Sequence, residues 1–188
     1  MIPADFPLLR GLPTDDEQTS PGGQWGRHGP TREWDADRFP LDLVTCDNAG
    51  LPDGLPDVAD TLYAAWYDVA SAHDRQLMVF ASADEARTWA ESVSSAFSCE
   101  RETEGDVTVF YEPYSERSKS ADLVQAWVTR HELQGRPGPA GVVHVVVKER
   151  AVLLSKFYAG EGSQVDREES ARMQDRQFNR IAAVVNAM

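Results

Sequence analysis

Apolar and polar positions are patterned most clearly over residues 75–99, RQLMVFASADEARTWAESVSSAFSC. Residues 76–81 are a bounded apolar run of strand length. Ser82 then stands three residues before Glu85, the capping-box spacing in which two orphan backbone donors of a helix start are satisfied reciprocally. A helix is expected from about Ser82. Ala86, Trp89, Ala90, Val93 and Phe97 recur at steps of three and four and give it one apolar stripe, with Arg87, Glu91, Ser94 and Ser95 off that stripe. The pattern predicts a strand, a sharp turn, and a helix that buries one face and delivers a cysteine at its end.

The same reading extends in both directions. Residues 107–114, 122–133, 141–149 and 152–159 are β-branched and aromatic runs, separated by breaks that include Pro113 and the RPGPAG loop around Pro137 and Pro139. Their links are too short for parallel crossovers, so the four strands are expected to form an antiparallel meander. Upstream, residues 41–46 read as a short strand and 48–56 as a turn region. Residues 57–70 fit a helix face through Val58, Leu62, Ala65, Trp66 and Val69, but Tyr63, Trp66 and Tyr67 favour a strand. The break at 71–74, followed at once by the strand at 76–81, tips the reading to a hairpin. Residues 101–106 read as a polar turn. Residues 163–188 carry a second helix with Ala171, Phe178, Ile181, Ala182 and Val185 on its buried face and Arg167, Glu168, Arg172, Asp175, Arg176 and Arg180 on its polar face. Together these predict an α+β fold: a twisted antiparallel sheet with two main helices packed on it.

The first 40 residues differ in texture. Pro3, Pro7, Pro13, Pro21, Pro30 and Pro40 exclude a long helix or a central strand. Phe6, Leu8, Leu9, Trp25, Trp34 and Phe39 supply apolar anchors that a free linker lacks. Residues 1–40 are therefore expected to be an extended, loop-rich arm wrapped on a single α+β domain at 41–188. The acidic run Asp15, Asp16, Glu17 lacks a calcium-type ligand loop and reads as solvated surface.

Composition narrows the function. A chain of 188 residues, 41% hydrophobic, supports one sizeable core. Its 31 acidic against 18 basic residues give a net charge of −13, which repels nucleic-acid backbones and anionic lipid. No apolar run approaches the roughly 20 residues of a membrane helix, so any membrane anchor would lie outside this stretch. The two cysteines, Cys46 and Cys99, each end an apolar element, and their spacing excludes CxxC metal and redox patterns. A single disulfide in an exported domain accounts for them; two buried free thiols in a cytoplasmic protein are the alternative.

The candidate chemistry is sparse. Among His28, His73, His131 and His144 no metal-ligand spacing occurs, and only His131 and His144, on adjacent predicted strands, are placed to meet. His144 sits in a valine run, where a hydrogen-bonded strand-face histidine is the ordinary reading. No GxSxG, SxxK, GxxxxGKS or GxGxxG pattern is present, and nothing calls for a metal or a cofactor. Tyr111 and Glu112, with Tyr114 nearby, could form a small polar-aromatic site, and Trp127 could share its surface. Over 122–133, alternation puts Val124, Ala126 and Val128 on one face, the natural seat for both helices. Leu123, Gln125, Trp127, Thr129 and His131 fall on the other, to be covered by Trp25 or Trp34 of the arm or left open to a ligand.

The opening IPADFPLLRGLP, the GP pair near residue 30, a cysteine before a turn, the unit RQLMVFASADEARTW ending in FSC, and the strand pair VVVKERAVLLSKFY resemble small exported lipoproteins of actinobacteria. They are also similar to the extracellular sensor domain of PknH-type receptor kinases. The resemblance implies an extracytoplasmic antiparallel sheet with flanking helices and a ligand-binding cleft. The chain departs from the kinase sensor in having one cysteine pair where that domain has two disulfides, and from the lipoproteins in lacking a lipidation cysteine near residue 1. The expected function is a non-enzymatic, extracytoplasmic ligand-binding or sensory domain, its partner a small molecule or cell-envelope component. Tyr111, Glu112, Trp127, His131 and His144 are its candidate binding residues. A hydrolase-like enzyme, which would gather His131, His144 and a carboxylate in one pocket, and a purely structural interaction domain, which would present a flat surface, are the alternatives.

Overall fold

The computed structural model describes residues 1–12, 26–33, 43–46, 51–68, 71–115, 118–160 and 163–188. In chain order its elements are β1 (Gly26–Thr31), β2 (Asp60–Tyr67), β3 (Ser71–Val79), α1 (Ala83–Ser95), β4 (Arg101–Glu104), β5 (Val107–Ser115), β6 (Leu123–Leu133), β7 (Arg136–Lys148), β8 (Ala151–Ala159) and α2 (Arg167–Val185). The strands form one sheet in the order β1-β2-β3-β8-β7-β6-β5-β4, with every neighbouring pair antiparallel. The α+β architecture, the β2–β3 hairpin and the β5–β8 meander all follow the alternation in the sequence.

Three local expectations are corrected. Residues 43–46 are not a strand: the Cys46 amide donates to the Ala96 carbonyl at 2.9 Å, so this segment runs against the end of α1. Residues 41–42 and the two tryptophans Trp25 and Trp34 lie outside the described residues. The polar turn at 101–106 is in fact β4 and a two-residue loop at Gly105–Asp106. Its partner β5 holds β4 as an edge strand whose mostly exposed polar side chains leave no apolar alternation to read. The break around Pro137 and Pro139 is part of β7, because the chain turns earlier, at Gln134 and Gly135, both with positive φ. A register shift in β6 between Arg130 and Glu132 accommodates that proline-rich end.

The helices do not share a face. Helix α1, capped by Ser82 accepting from the Glu85 amide at 3.2 Å, buries Trp89, Ala90, Val93 and Phe97 against Met78, Leu154, Val143, Val145 and Trp127. Helix α2 packs Ile181, Val184 and Val185 against Leu62, Leu77, Val124, Val146 and Leu153 on the opposite side, and Met173 against Val128 and Val142. The expectation that Trp127 and His131 face away from both helices is therefore corrected. The Leu123–Trp127 face is apolar enough across the neighbouring valines of β7 to require a helix of its own. The buried face of α2 is also rotated from the one expected, with Ser170, Gln174 and Gln177 turned inward and Ala171 and Phe178 only partly buried.

Residues 1–12 complete the α2 face, with Ile2, Phe6, Leu8, Leu9 and Leu12 in its core. Gly11 has φ +82, and a Cβ there would lie 2.3 Å from the Arg180 carbonyl oxygen, so only glycine lets this segment press on α2. Arg75 fastens it: this residue, 2% exposed, donates from Nη1 to the carbonyls of Leu8 at 2.8 Å and Arg10 at 2.7 Å.

Candidate functional site

The end of α1 and strands β5 and β6 enclose a cleft of about 330 Å³. Its construction begins with the apolar stripe of α1, which brings Phe97, two residues past the helix end, onto the ring of Trp127, stacked at a centroid distance of 4.8 Å. The chain then reaches Cys99, which is joined to Cys46 in a disulfide, and the Cys99 amide donates to Cys46 Sγ at 3.0 Å. This bridge ties the 43–46 segment to the mouth of the cleft. Register places Pro113 opposite Trp127 and Tyr111 opposite Thr129, so Tyr111 and Trp127 share the α1 face. The Tyr111 hydroxyl lies 2.9 Å from a Glu102 carboxylate oxygen and 3.1 Å from the Thr45 carbonyl. Ser94 donates to Gln125 Oε1 at 2.7 Å, which leaves the amide N–H₂ of Gln125 as a donor at the cleft. The arrangement is an aromatic floor with a hydroxyl and carboxamide rim, suited to holding a small uncharged or weakly polar group. Glu102 also lies near both cysteine sulfurs, but the disulfide leaves no thiolate there to ligate a metal.

The other sequence candidates lie elsewhere. Glu112, one residue along β5 from Tyr111, points to the α2 face. It accepts from Ser170 Oγ at 2.7 Å and sits 3.7 Å from Arg130 and 4.0 Å from Arg167. Arg130 in turn pairs with Glu132 and lies over the Phe110 ring at 4.3 Å. Tyr114 joins this group through Glu112 at 3.4 Å, and burial pushes its phenol pKa up. His131 is on the α1 face, opposite Val109 of β5, and burial lowers its pKa. His144 is on the α2 face, opposite Ala126, 1% exposed, with Nε2 3.5 Å from the Gln174 amide nitrogen and no partner at Nδ1 among the described residues. Adjacent strands do carry the two histidines, but on opposite sides of the sheet.

Sequence reasoning missed a second polar cluster under α2. His73, Arg75, His144 and Gln174 are all buried there, with Arg180 at their edge. Burial, reinforced by the positive charges of Arg180 and Arg75, drives the His73 pKa down to about 3; burial, with a contribution from Arg75, does the same for His144. Both imidazoles are held neutral. The signal was present in β3: alternation through His73, Arg75, Leu77 and Val79 puts two polar residues on the same side as two core residues, and register pairs Arg75 with Ser155, next to the valine run of β7.

Among the described residues no helix is long and apolar enough to cross a membrane. No protein-family model matches the chain, and no curated protein matches its sequence. Among solved structures the chain is similar to the extracellular domain of PknH from Mycobacterium tuberculosis, at a TM-score of 0.41 and 12% sequence identity, over 68% of each chain.

Proposed function

We propose that this protein is an extracytoplasmic ligand-binding or sensory domain whose site is the disulfide-bordered cleft under α1, and that it recognises its ligand without catalysing a reaction on it. The observation that carries this reading is the joining of Cys46 to Cys99 at the mouth of an aromatic-floored cleft. A disulfide persists in oxidising compartments and is rare in the cytoplasm. Here it rigidifies the segment that borders the site, which lowers the ordering cost of binding. Tyr111 and Trp127 are the binding residues within the cleft, with Gln125 and Ser94 as rim hydrogen-bonding groups. Glu112, His131 and His144 act at a distance, as packing and positioning residues. The opposed placement of His131 and His144 favours this reading over a hydrolase, because those two imidazoles do not converge on one carboxylate. The concave site favours it over a purely structural surface.

The ligand class that suits an aromatic floor and a carboxamide rim is a saccharide or short peptide of the cell envelope, bound by ring stacking and a few neutral hydrogen bonds. The test is an NMR titration of the uniformly ¹⁵N-labelled protein with soluble envelope oligosaccharides and muropeptides. Saturable shifts at Ser94, Tyr111 and Gln125, weakened about tenfold by Gln125→Ala, are expected. Shifts that ignore this cleft, or an unaffected Gln125→Ala variant, would sink the assignment.

A further inference from the structure

Helix α2 does not seal its side of the sheet along its whole length. Between its first turns, the 163–165 segment and the ends of β3 and β8 lies a cleft of about 460 Å³, on the opposite face from the disulfide cleft. One wall is apolar, made by Phe157, Val165 and Met173. The other wall carries polar groups, two of them at most partly engaged among the described residues. Gln177 is 6% exposed, lines the cleft, and has a carboxamide with no hydrogen bond among the described residues. Arg180, one turn on, has a single polar side-chain contact among them, His73 Nε2 at 3.2 Å, and no carboxylate in ion-pairing range. Arg176 on the same rim is by contrast spent on Glu169.

The Gln177 carboxamide meets solvent at the cleft and is there to pair with a hydrogen-bonding group that enters it. The guanidinium of Arg180 adds charge. Its one contact uses Nη1 against a neutral imidazole, leaving further N–H donors in the planar fork that fits a carboxylate. Behind it Arg75, held by two backbone carbonyls, is pushed down to about 9 by burial and by the positive charge of Arg180. Among the described residues Arg180 has no carboxylate in ion-pairing range, and an anion there offsets its repulsion of Arg75. Because Arg180 is the one arginine lining the cleft without a carboxylate partner among the described residues, the head that fits carries one negative charge; a doubly charged phosphate monoester would need Arg176 as well.

We propose that this second cleft binds a small amphipathic carboxylate, its head on Arg180 and Gln177 and its apolar body against Phe157, Val165 and Met173. The site is independent of the one under α1, and the cleft volume is that of ordinary small-molecule sites. Octanoate, below its aggregation range, is the probe; octanamide and inorganic phosphate are its neutral and tail-less counterparts. Calorimetry is expected to give saturable 1:1 binding of octanoate, with NMR shifts at Phe157, Val165 and Met173. Octanamide, phosphate, Arg180→Gln and Gln177→Leu are each expected to weaken binding about tenfold or more, with Arg180→Lys restoring part of the loss. Well-dispersed spectra of the variants would show that their fold is intact. No saturable octanoate binding, equal affinity for octanamide, an unaffected Arg180→Gln, or shifts confined to the disulfide cleft would each overturn the proposal, the last without touching the reading of the α1 cleft.

Discussion

His73 and His144 are the residues through which pH acts most strongly on stability, with His131 shifted in the same direction. Both have folded-state pKa values near 3, below the ordinary histidine value of 6.5. The unfolded chain therefore binds protons between about pH 6.5 and pH 3 that the folded chain does not, and stability falls as pH drops through that window. The slope has a ceiling of roughly 1.4 kcal/mol per pH unit for each histidine. Urea titrations between pH 7 and pH 5.5, above most of the range in which the carboxylates titrate, are expected to show the loss, and His144→Leu should reduce the slope by up to about half. Trp127 is a second residue-scale case. Stacked on Phe97 and 5% exposed, it is as much core as binding floor, so Trp127→Ala is expected to lower stability by about 3–5 kcal/mol in a denaturant titration. Its burial was hidden in the sequence because alternation gives a strand two faces without saying which elements cover them.

At the scale of elements, what the sequence showed and what it hid divide along physical lines. Helix α1 was readable to its cap because capping box, stripe and strand boundary all agree, and Ser82→Ala is expected to cost about 1 kcal/mol. The meander was readable because β-branched runs with short links admit no other pairing. Strand β4 was not, since an edge strand of exposed polar residues carries no alternation. The α2 face was misread for a related reason: periodicity counts apolar residues, whereas Ser170 and Gln174 turn inward onto Glu112 and His144 of the sheet, and Gln177 turns inward at the cleft. Of the candidate site, Tyr111, Trp127 and the cysteines were legible and are brought together. Arg75 was not singled out, although it holds the N-terminal segment. Arg75→Met leaves the Leu8 and Arg10 carbonyls without their donor, and amide exchange over residues 8–12 is expected to accelerate about tenfold or more.

For the molecule as a whole the disulfide spans a sequence separation of 53 residues and encloses β2, β3 and α1, so it restricts the unfolded chain far more than it strengthens any one contact. The Cys46→Ser, Cys99→Ser variant is expected to lose about 2–4 kcal/mol, measured against the oxidised protein. The strand order carries a different consequence. Every strand pairs with a neighbour in sequence except at the centre of the sheet, where β3 meets β8, Ser71 with Ala159 and Val79 with Ala151. The β2–β3 hairpin and the β4–β8 meander are each built from local pairings that close quickly. The central seam must bring together segments more than 70 residues apart, and loop-closure entropy opposes it until the contacts form. Joining the hairpin and the meander is therefore the slow event in folding, on the millisecond-to-second scale usual for such topologies. A truncation on the seam such as Leu77→Ala, opposite Leu153, and one in the β6–β7 hairpin, which is already formed when the seam closes, both slow the refolding arm of a chevron, whereas a change in contacts made only after closure mainly speeds unfolding. Until the seam closes, the facing edges of β3 and β8 stand open, and the time spent in that half-assembled form sets how exposed the chain is to pairing with another copy of itself.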